Sequence, residues 1–219
     1  MLKKKLISFD LDQTLVDTIK SHMKSYLEVF KRNNLKIPSK EKLRNLIDGR
    51  HGRRVINGLY PHLSKEKAEK LRLGRKPILL KYSYLMKPIP GASKALKILK
   101  KKHELALITN AAKNEVDLFL KKSKINPKIF DLILIGNKMK HPKPSPDSII
   151  RAEHILHVDS DIHVGDSIYD VLAAKRAKAI SIAVLTGQAT KTKLKKYKPD
   201  YILNSVAELP KLLKDKKLS

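Results

Sequence analysis

The sequence predicts an α/β fold: a Rossmann-like core on a parallel sheet with helices on both faces, plus an all-helical cap inserted after the first strand. Three observations carry that reading. From about residue 88 onward, short apolar runs alternate with amphipathic stretches, the pattern of parallel strands joined by helical crossovers. Between about 17 and 87, apolar residues recur at helical spacing and strand alternation is absent. Polar and acidic clusters stand at the strand ends and helix starts, where a parallel sheet places its ligand-binding loops. The division is a core of residues 1–16 and 88–219 and a cap of residues 17–87.

The elements follow in order. Residues 6–11 form a short apolar run that reads as a buried strand. Ile19, Met23, Tyr26, Leu27 and Phe30 share one helical face, and Asn33-Asn34 ends that helix. Residues 39–47 have the capping pattern of a second helix, with Glu41 and Lys42 in its first turns. Asp48-Gly49-Arg50-His51-Gly52 is a break; helices follow at 54–59 and 65–86, the latter open to interruption at Gly74 or Pro77. After Pro88-Ile89-Pro90-Gly91 come a helix at 92–102, a strand at 105–109, a helix at 111–122 and a strand at 130–135. A helix at 146–156, a strand at 162–164, a helix at 168–177, a strand at 180–184 and a short strand at 201–203 with a helix after it complete the chain. Such alternation implies right-handed crossovers.

Composition narrows the function classes. A chain of 219 residues has room for one core domain and a small insertion. With no cysteine, disulfides and thiolate metal sites are excluded. No apolar run reaches the ~18 residues of a membrane span. The lysines at 3, 4 and 5 precede a run too short for a signal sequence, so a cytoplasmic protein is expected. The net charge of +27, from 48 lysines and arginines against 21 acids, is the footprint of a nucleic-acid or membrane-surface binder. Yet the lysines are scattered and no aromatic residues interleave with them as a stacking platform would require. Nucleic acid is therefore kept as an alternative partner, beside the plain reading of a lysine-rich proteome. The positive field itself favours capture of anionic substrates.

Four segments carry chemistry. Phe9-Asp10-Leu11-Asp12-Gln13-Thr14 puts two carboxylates at the end of an apolar run, where they repel unless a cation or a shared proton intervenes. Leu105-Ala106-Leu107-Ile108 ends in Thr109-Asn110. Lys143-Pro144-Ser145-Pro146-Asp147 opens an amphipathic stretch, and Ile162-His163-Val164 runs into Gly165-Asp166-Ser167-Ile168-Tyr169-Asp170. Taken singly, each has a plain structural reading: the first a helix cap or turn, Thr109-Asn110 an N-cap, Lys143 a solvated charge, Gly165-Asp166-Ser167 a strand-to-helix turn. Their joint order at strand ends is what argues for function.

In that order the four segments resemble the haloacid dehalogenase superfamily, specifically its phosphoglycolate phosphatase-like branch with a helical cap, over about residues 6–203. The resemblance implies Asp10 as the nucleophile that forms an aspartyl-phosphate, and Asp12 as the general acid and base. It implies that the Thr109 hydroxyl and the Asn110 backbone N–H meet the phosphoryl group, and that Lys143 supplies positive charge to both nucleophile and phosphate. Mg²⁺ would be held by Asp10, the backbone carbonyl of Asp12 and Asp166, with Asp170 and Thr14 supporting from behind. Asp12 points to phosphoryl transfer, because the dehalogenase members lack an acid at that position.

The function implied is a Mg²⁺-dependent phosphatase acting on a small phosphorylated metabolite, 2-phosphoglycolate first. A phosphomutase of the β-phosphoglucomutase type, a phosphonate hydrolase with a cap lysine, and a phosphatase for nucleic-acid ends are the alternatives. In the cap, Arg50 with His51, Arg53 and Arg54 could clamp a carboxylate or second phosphate, or form a solvated basic turn. His62, Tyr82 and Tyr84 read as cap packing or surface. Monomer and homodimer both stay open.

Overall fold

The computed structural model describes residues 5–47, 49, 52–136, 141–158 and 160–218. Six parallel strands form one sheet in the order β5-β4-β1-β6-β7-β8: β1 (Lys5–Phe9), β4 (His103–Thr109), β5 (Leu132–Ile135), β6 (Ser160–Gly165), β7 (Ile180–Val184) and β8 (Tyr201–Leu203). The chain moves outward from β1 through β4 to β5, then crosses back to β6 on the other side of β1. At this reversal of strand order the loops leaving β1, β4 and β6 diverge around a crevice.

The fold class matches the sequence expectation, and period-two burial explains it. Ile7, Phe9, Leu105, Leu107, Ile162, Val164, Ile182 and Val184 face one apolar layer with helices α5 (Ala92–Lys100), α6 (Lys113–Ser123) and α10 (Leu209–Asp215). Leu6, Ala106, Ile108 and Leu134 face the opposite layer, under α7 (Asp147–Leu156) and α8 (Ile168–Arg176). A sheet covered on both faces needs continuous apolar strands, as these are.

Helices α1 (Ile19–Arg32), α2 (Lys40–Ile47), α3 (Gly52–Leu59) and α4 (Lys65–Lys81) pack around a separate cluster that includes Tyr26, Phe30, Leu43, Ile56, Leu71 and Ile78. Helix α4 continues through Pro77, which lies on the exposed side with Leu73, so water can reach the carbonyl that the proline leaves without a donor. It ends at Lys81 rather than 86, and a 3₁₀ turn covers Ser83–Leu85.

Two features were not expected. The stretches entering and leaving the helical part pair as a two-stranded antiparallel ribbon, β2 (Val16–Asp17) with β3 (Lys87–Pro88). Two-residue strands leave no periodicity to read, and Pro88 argues locally against any strand. A short helix α9 (Lys191–Lys195) is capped by Thr190, whose hydroxyl accepts from the Lys193 N–H. The first strand also stops at Phe9, not at residue 11. Asp10 N–H still donates to the Val164 carbonyl at 2.8 Å, and then a tight turn returns Leu15 and Val16 N–H groups to the Leu11 carbonyl, with Gln13 at φ +62°.

Candidate active site

Asp10 emerges directly from β1, Thr109 ends β4, and Asp166 follows β6, so the sheet topology alone brings three distant segments together. Lys143 enters from the stretch before α7. Its ammonium donates to Asp10 Oδ1 at 2.6 Å, Asp170 Oδ1 at 2.6 Å and the Ile108 carbonyl at 2.9 Å. All three ammonium hydrogens are thus used, in a site where Lys143 is 4% exposed. The Asn110 side chain grips the backbone of Lys143 from both sides: Lys143 N–H donates to Oδ1 at 3.2 Å and Nδ2–H donates to the Lys143 carbonyl at 3.3 Å. This side-chain role is additional to the backbone N–H expected of Asn110.

Asp170 sits in the first turn of α8. Its Oδ2 accepts from the Ser167 N–H at 3.0 Å and the Ser167 hydroxyl at 2.5 Å, and the Asp170 N–H donates back to Ser167 Oγ at 3.4 Å, which closes a capping box. Carboxylate oxygens of Asp10, Asp166 and Asp170 lie within 4.8 Å of one another. Asp170 is already engaged by Lys143, Ser167 and His163. The carboxylates of Asp10 and Asp166 are the pair that fits a hard cation, and their donor chemistry suits Mg²⁺. Thr14 donates from its hydroxyl to Asp166 Oδ1 at 3.4 Å.

Two glycines make room for this crowding. A Cβ at Gly165 would lie 2.2 Å from Asp170 Cγ, and one at Gly187 would lie 1.9 Å from Asp166 Oδ2. Gly187, in the loop after β7, belongs to the site although nothing in its neighbourhood in the sequence marks it.

Charge balance explains the titration behaviour. Burial, opposed by Lys143 and reinforced by Asp170, pushes the Asp10 carboxyl up to about 7. Asp170 goes the other way: burial opposes its charge, but Lys143 and His163 outweigh it and hold the carboxyl well below the ordinary range. Burial alone would lower the Lys143 ammonium, yet the two carboxylates keep it above its usual value. One ammonium shared by two buried acids leaves Asp10 short of positive charge, which is what a metal would supply.

Asp12 lies in the turn rather than on the strand and lines the same cavity as Asp10. Burial raises its carboxyl, but the electrostatic pull of His22, with hydrogen bonds from His22 and Thr18, more than offsets that and holds it below the ordinary range. His22, in the first turns of α1, has Nε2 2.9 Å from Asp12 Oδ2 and Nδ1 2.9 Å from Arg75 Nη1. Arginine only donates, so Nδ1 accepts and the proton sits on Nε2, pointing at Asp12. Arg75 of α4 continues the chain, donating from Nη2 to Glu115 Oε1 at 2.9 Å, while Glu115 Oε2 accepts from the Ala112 N–H at the start of α6. Arg75 also lies over the Tyr26 ring, 4.5 Å from its centroid.

The helical part closes over this centre and leaves a cavity of about 170 Å³, lined from below by Asp10, Asp12, Thr109, Lys143 and Asp166 and from above by Tyr26, Arg72 and Lys76. Gly49 comes against Ser167 and Tyr169. Arg50 and His51 lie outside the described residues. Arg53 and Arg54 are exposed on α3 and do not line the cavity. Arg72 and Lys76 of α4 take the place expected for them. Arg72 is engaged in a double hydrogen bond to Glu69, whereas Lys76 reaches the cavity with no ion-pair partner among the described residues. Tyr82 donates to Glu28 and Tyr84 is exposed at the surface, away from the cavity.

His22, Arg75 and Glu115 escape a sequence reading because their partners are 10 to 53 residues away. One signal existed: His22 falls between Ile19 and Tyr26 on the apolar stripe of α1, where a polar residue needs a buried partner.

A buried carboxylate beside a fixed ammonium, two acids able to hold a hard cation, and a further acid lining the same cavity mark a hydrolase of phosphoric monoesters. The comparison with known proteins agrees. Residues 7–184 match the family model described as haloacid dehalogenase-like hydrolase, and the chain belongs to that family. The pyrophosphatase PpaX of Bacillus velezensis is 27% identical over 215 residues, covering 93% of each chain. A predicted phosphoglycolate phosphatase from Haemophilus somnus superposes with a TM-score of 0.85 at 23% identity, covering 97% of this chain and 99% of that one. A β-phosphoglucomutase-like structure from Thermotoga maritima gives a TM-score of 0.73 at 25% identity over 96% and 99% of the two chains.

Proposed function

We propose that the protein is a Mg²⁺-dependent phosphatase that hydrolyses a small phosphorylated metabolite through an aspartyl-phosphate on Asp10. The observation that carries this is the placement of Lys143 between Asp10 and Asp170, with Asp12 and Asp166 facing the same cavity. Asp10, Asp166 and the backbone carbonyl of Asp12 would hold Mg²⁺, which when bound neutralises the acids and the incoming phosphate.

The residues of the chain do the rest. The Asp10 carboxylate attacks phosphorus as the bond from phosphorus to the leaving oxygen breaks, and Asp12 protonates that oxygen. Asp12 then takes a proton from water, whose oxygen attacks phosphorus and breaks the bond to Asp10, giving inorganic phosphate. In the free site Asp12 is a carboxylate accepting from His22 and Thr18. A phosphate dianion beside it raises its proton affinity by repulsion, which readies it as an acid. Lys143, still charged, stabilises the equatorial oxygens, and Thr109 and the Asn110 N–H complete their surroundings.

The substrate is read as compact and twice anionic, from the small cavity and from Lys76 in its roof. 2-Phosphoglycolate is the first choice, and inorganic pyrophosphate, the substrate named in the PpaX relatives, is the second. Residues 17–87 act as the cap and residues 1–16 with 88–219 as the core, the β2–β3 ribbon serving as the link between them.

Phosphate release over a panel of phosphoglycolate, pyrophosphate, sugar phosphates and nucleotides tests the reading. Turnover of a small monoester in Mg²⁺, abolished by EDTA, is the expected result. Transfer of phosphate to a hexose phosphate in place of water would assign the phosphomutase alternative instead.

A further inference from the structure

Beneath the site, on the sheet face covered by α7 and α8, a serine and a histidine stand where the surrounding layer is apolar. Ser8 of β1 and His163 of β6 are direct register partners, 0% and 1% exposed. Their neighbours on that face include Leu6, Ala106, Ile108 and Ala173. A hydroxyl and an imidazole placed there are costly unless their hydrogen bonds are made. They are made, and they lead to the active site. Ser8 Oγ lies 2.8 Å from His163 Nδ1, and His163 Nε2 lies 3.3 Å from Asp170 Oδ1, the same oxygen that accepts from Lys143 at 2.6 Å.

The donors and acceptors admit one arrangement for a neutral ring. An ionised Asp170 accepts only, so the ring proton sits on Nε2. Nδ1 then carries a lone pair, and the hydroxyl of Ser8 donates to it. The Ile162 carbonyl, 3.2 Å from Ser8 Oγ, is the competing acceptor for that proton and the longer contact. Asp170 therefore sets the tautomer, Ser8 supports it by donating to Nδ1, and Asp170 in turn orients Lys143.

We infer that Ser8 and His163 form a buried brace that holds Asp170 in register and, through it, aims the Lys143 ammonium at Asp10. They are positioning residues that never meet the substrate, and the inference rests on the phosphatase reading given above. Without His163, Oδ1 of Asp170 keeps only the Lys143 donor, and the rest of the hold on the carboxylate lies at its Ser167 end. Lys143 then tilts away from the direction set by β1. Groups that orient a catalytic residue from behind are typically worth ~10-fold to 100-fold in activity.

The test compares wild type with His163→Leu, His163→Gln, Ser8→Ala and the double variant Ser8→Ala/His163→Leu on an aryl phosphate in saturating Mg²⁺. His163→Leu is expected to lower kcat roughly tenfold with KM unchanged, about 1.4 kcal/mol in the barrier. His163→Gln, whose side-chain N–H sits near the position of Nε2, should recover most of that. Ser8→Ala should cost less, and the double variant should be no worse than His163→Leu alone, because Ser8 acts only through the ring.

An unaltered kcat in folded His163→Leu, or additive losses in the double variant, would overturn the brace. If His163→Leu does not fold, a kcat for Ser8→Ala equal to wild type overturns it, and a loss in Ser8→Ala with wild-type KM supports it. An inactive wild type is a separate result, since it strikes at the phosphatase reading itself.

Discussion

At the scale of single residues, the site is governed by one shortage: two buried carboxylates, Asp10 and Asp170, share the Lys143 ammonium, and Asp170 holds the stronger claim. Asp10 is left with a carboxyl raised to about 7 from an ordinary 3.8. The sign of the consequence follows. Below pH 7 the free protein carries a proton on Asp10 that Mg²⁺ must displace, so metal affinity rises about tenfold per pH unit up to about 7 and levels off above it. Calorimetry in two buffers of different ionisation enthalpy should find nearly one proton released per Mg²⁺ at pH 6 and little at pH 8. Equal release at both would contradict the Asp10 assignment.

The same raised value makes Asp10 a liability to the metal-free fold. Its stabilising contribution is complete below the unfolded value of 3.8 and is lost as pH rises through about 7. Asp10→Asn should therefore melt higher than wild type at pH 8 without metal, while its aryl phosphate hydrolysis falls to background because an amide is a poor nucleophile. A lower melting temperature at that pH, or retained activity, counts against it.

Much of the convergence at this scale was legible in the sequence, because Asp10, Thr109 and Asp166 each end an apolar run and the parallel sheet gathers such ends. Lys143 was legible only through its place in the order of segments, since it is one lysine among many. His22, Arg75, Glu115 and Gly187 were not legible. Their importance lies in contacts across the chain, and no local pattern encodes a pair 40 residues apart such as Arg75 and Glu115.

At the scale of elements, Arg75 is where helix α4 meets the core. Its guanidinium, 5% exposed, contacts His22 and Ser25 of α1 and crosses to Glu115 at the start of α6. A buried pair broken on one side leaves an uncompensated charge, so Arg75→Ala should destabilise by about 3 kcal/mol in urea unfolding. Arg75→Ala/Glu115→Ala should be less damaging than the two single losses added together. Strict additivity would mean that the bridge is not coupled. Because Arg75 also fixes the tautomer of His22, its loss should lower kcat on the same aryl phosphate even where the protein remains folded.

The element scale also shows where sequence patterns fail. Strands and helices of the sheet layers were read to within a few residues because burial on both faces writes long apolar runs. The β2–β3 ribbon was invisible because two-residue strands carry no period, and the first strand was overextended because Leu11, buried in the turn, continues the apolar pattern after the pairing has ended. Pro77 suggested a break in α4 that solvent exposure of that side makes unnecessary.

At the scale of the whole molecule, the net charge of +27 has no counterpart in the fold, which is neutral to the sign of its surface. No helix among the described residues is long and apolar enough to cross a membrane. What the charge must do is set a field. Lysines are spread over α4, α5, α6, α9 and α10, so the positive field comes from several elements at once. Such a field acts on encounter and not on chemistry. For an anionic monoester, kcat/KM should therefore fall about tenfold between ~20 mM and ~200 mM monovalent salt as the screening length shrinks from ~20 Å toward ~7 Å, while kcat stays constant. Charge scattered along the sequence also predicts weak, non-saturating oligonucleotide binding that disappears at ~150 mM salt. Saturable binding that survives that salt would show an organised nucleic-acid surface, and would make the ends of such a polymer the substrate to test next.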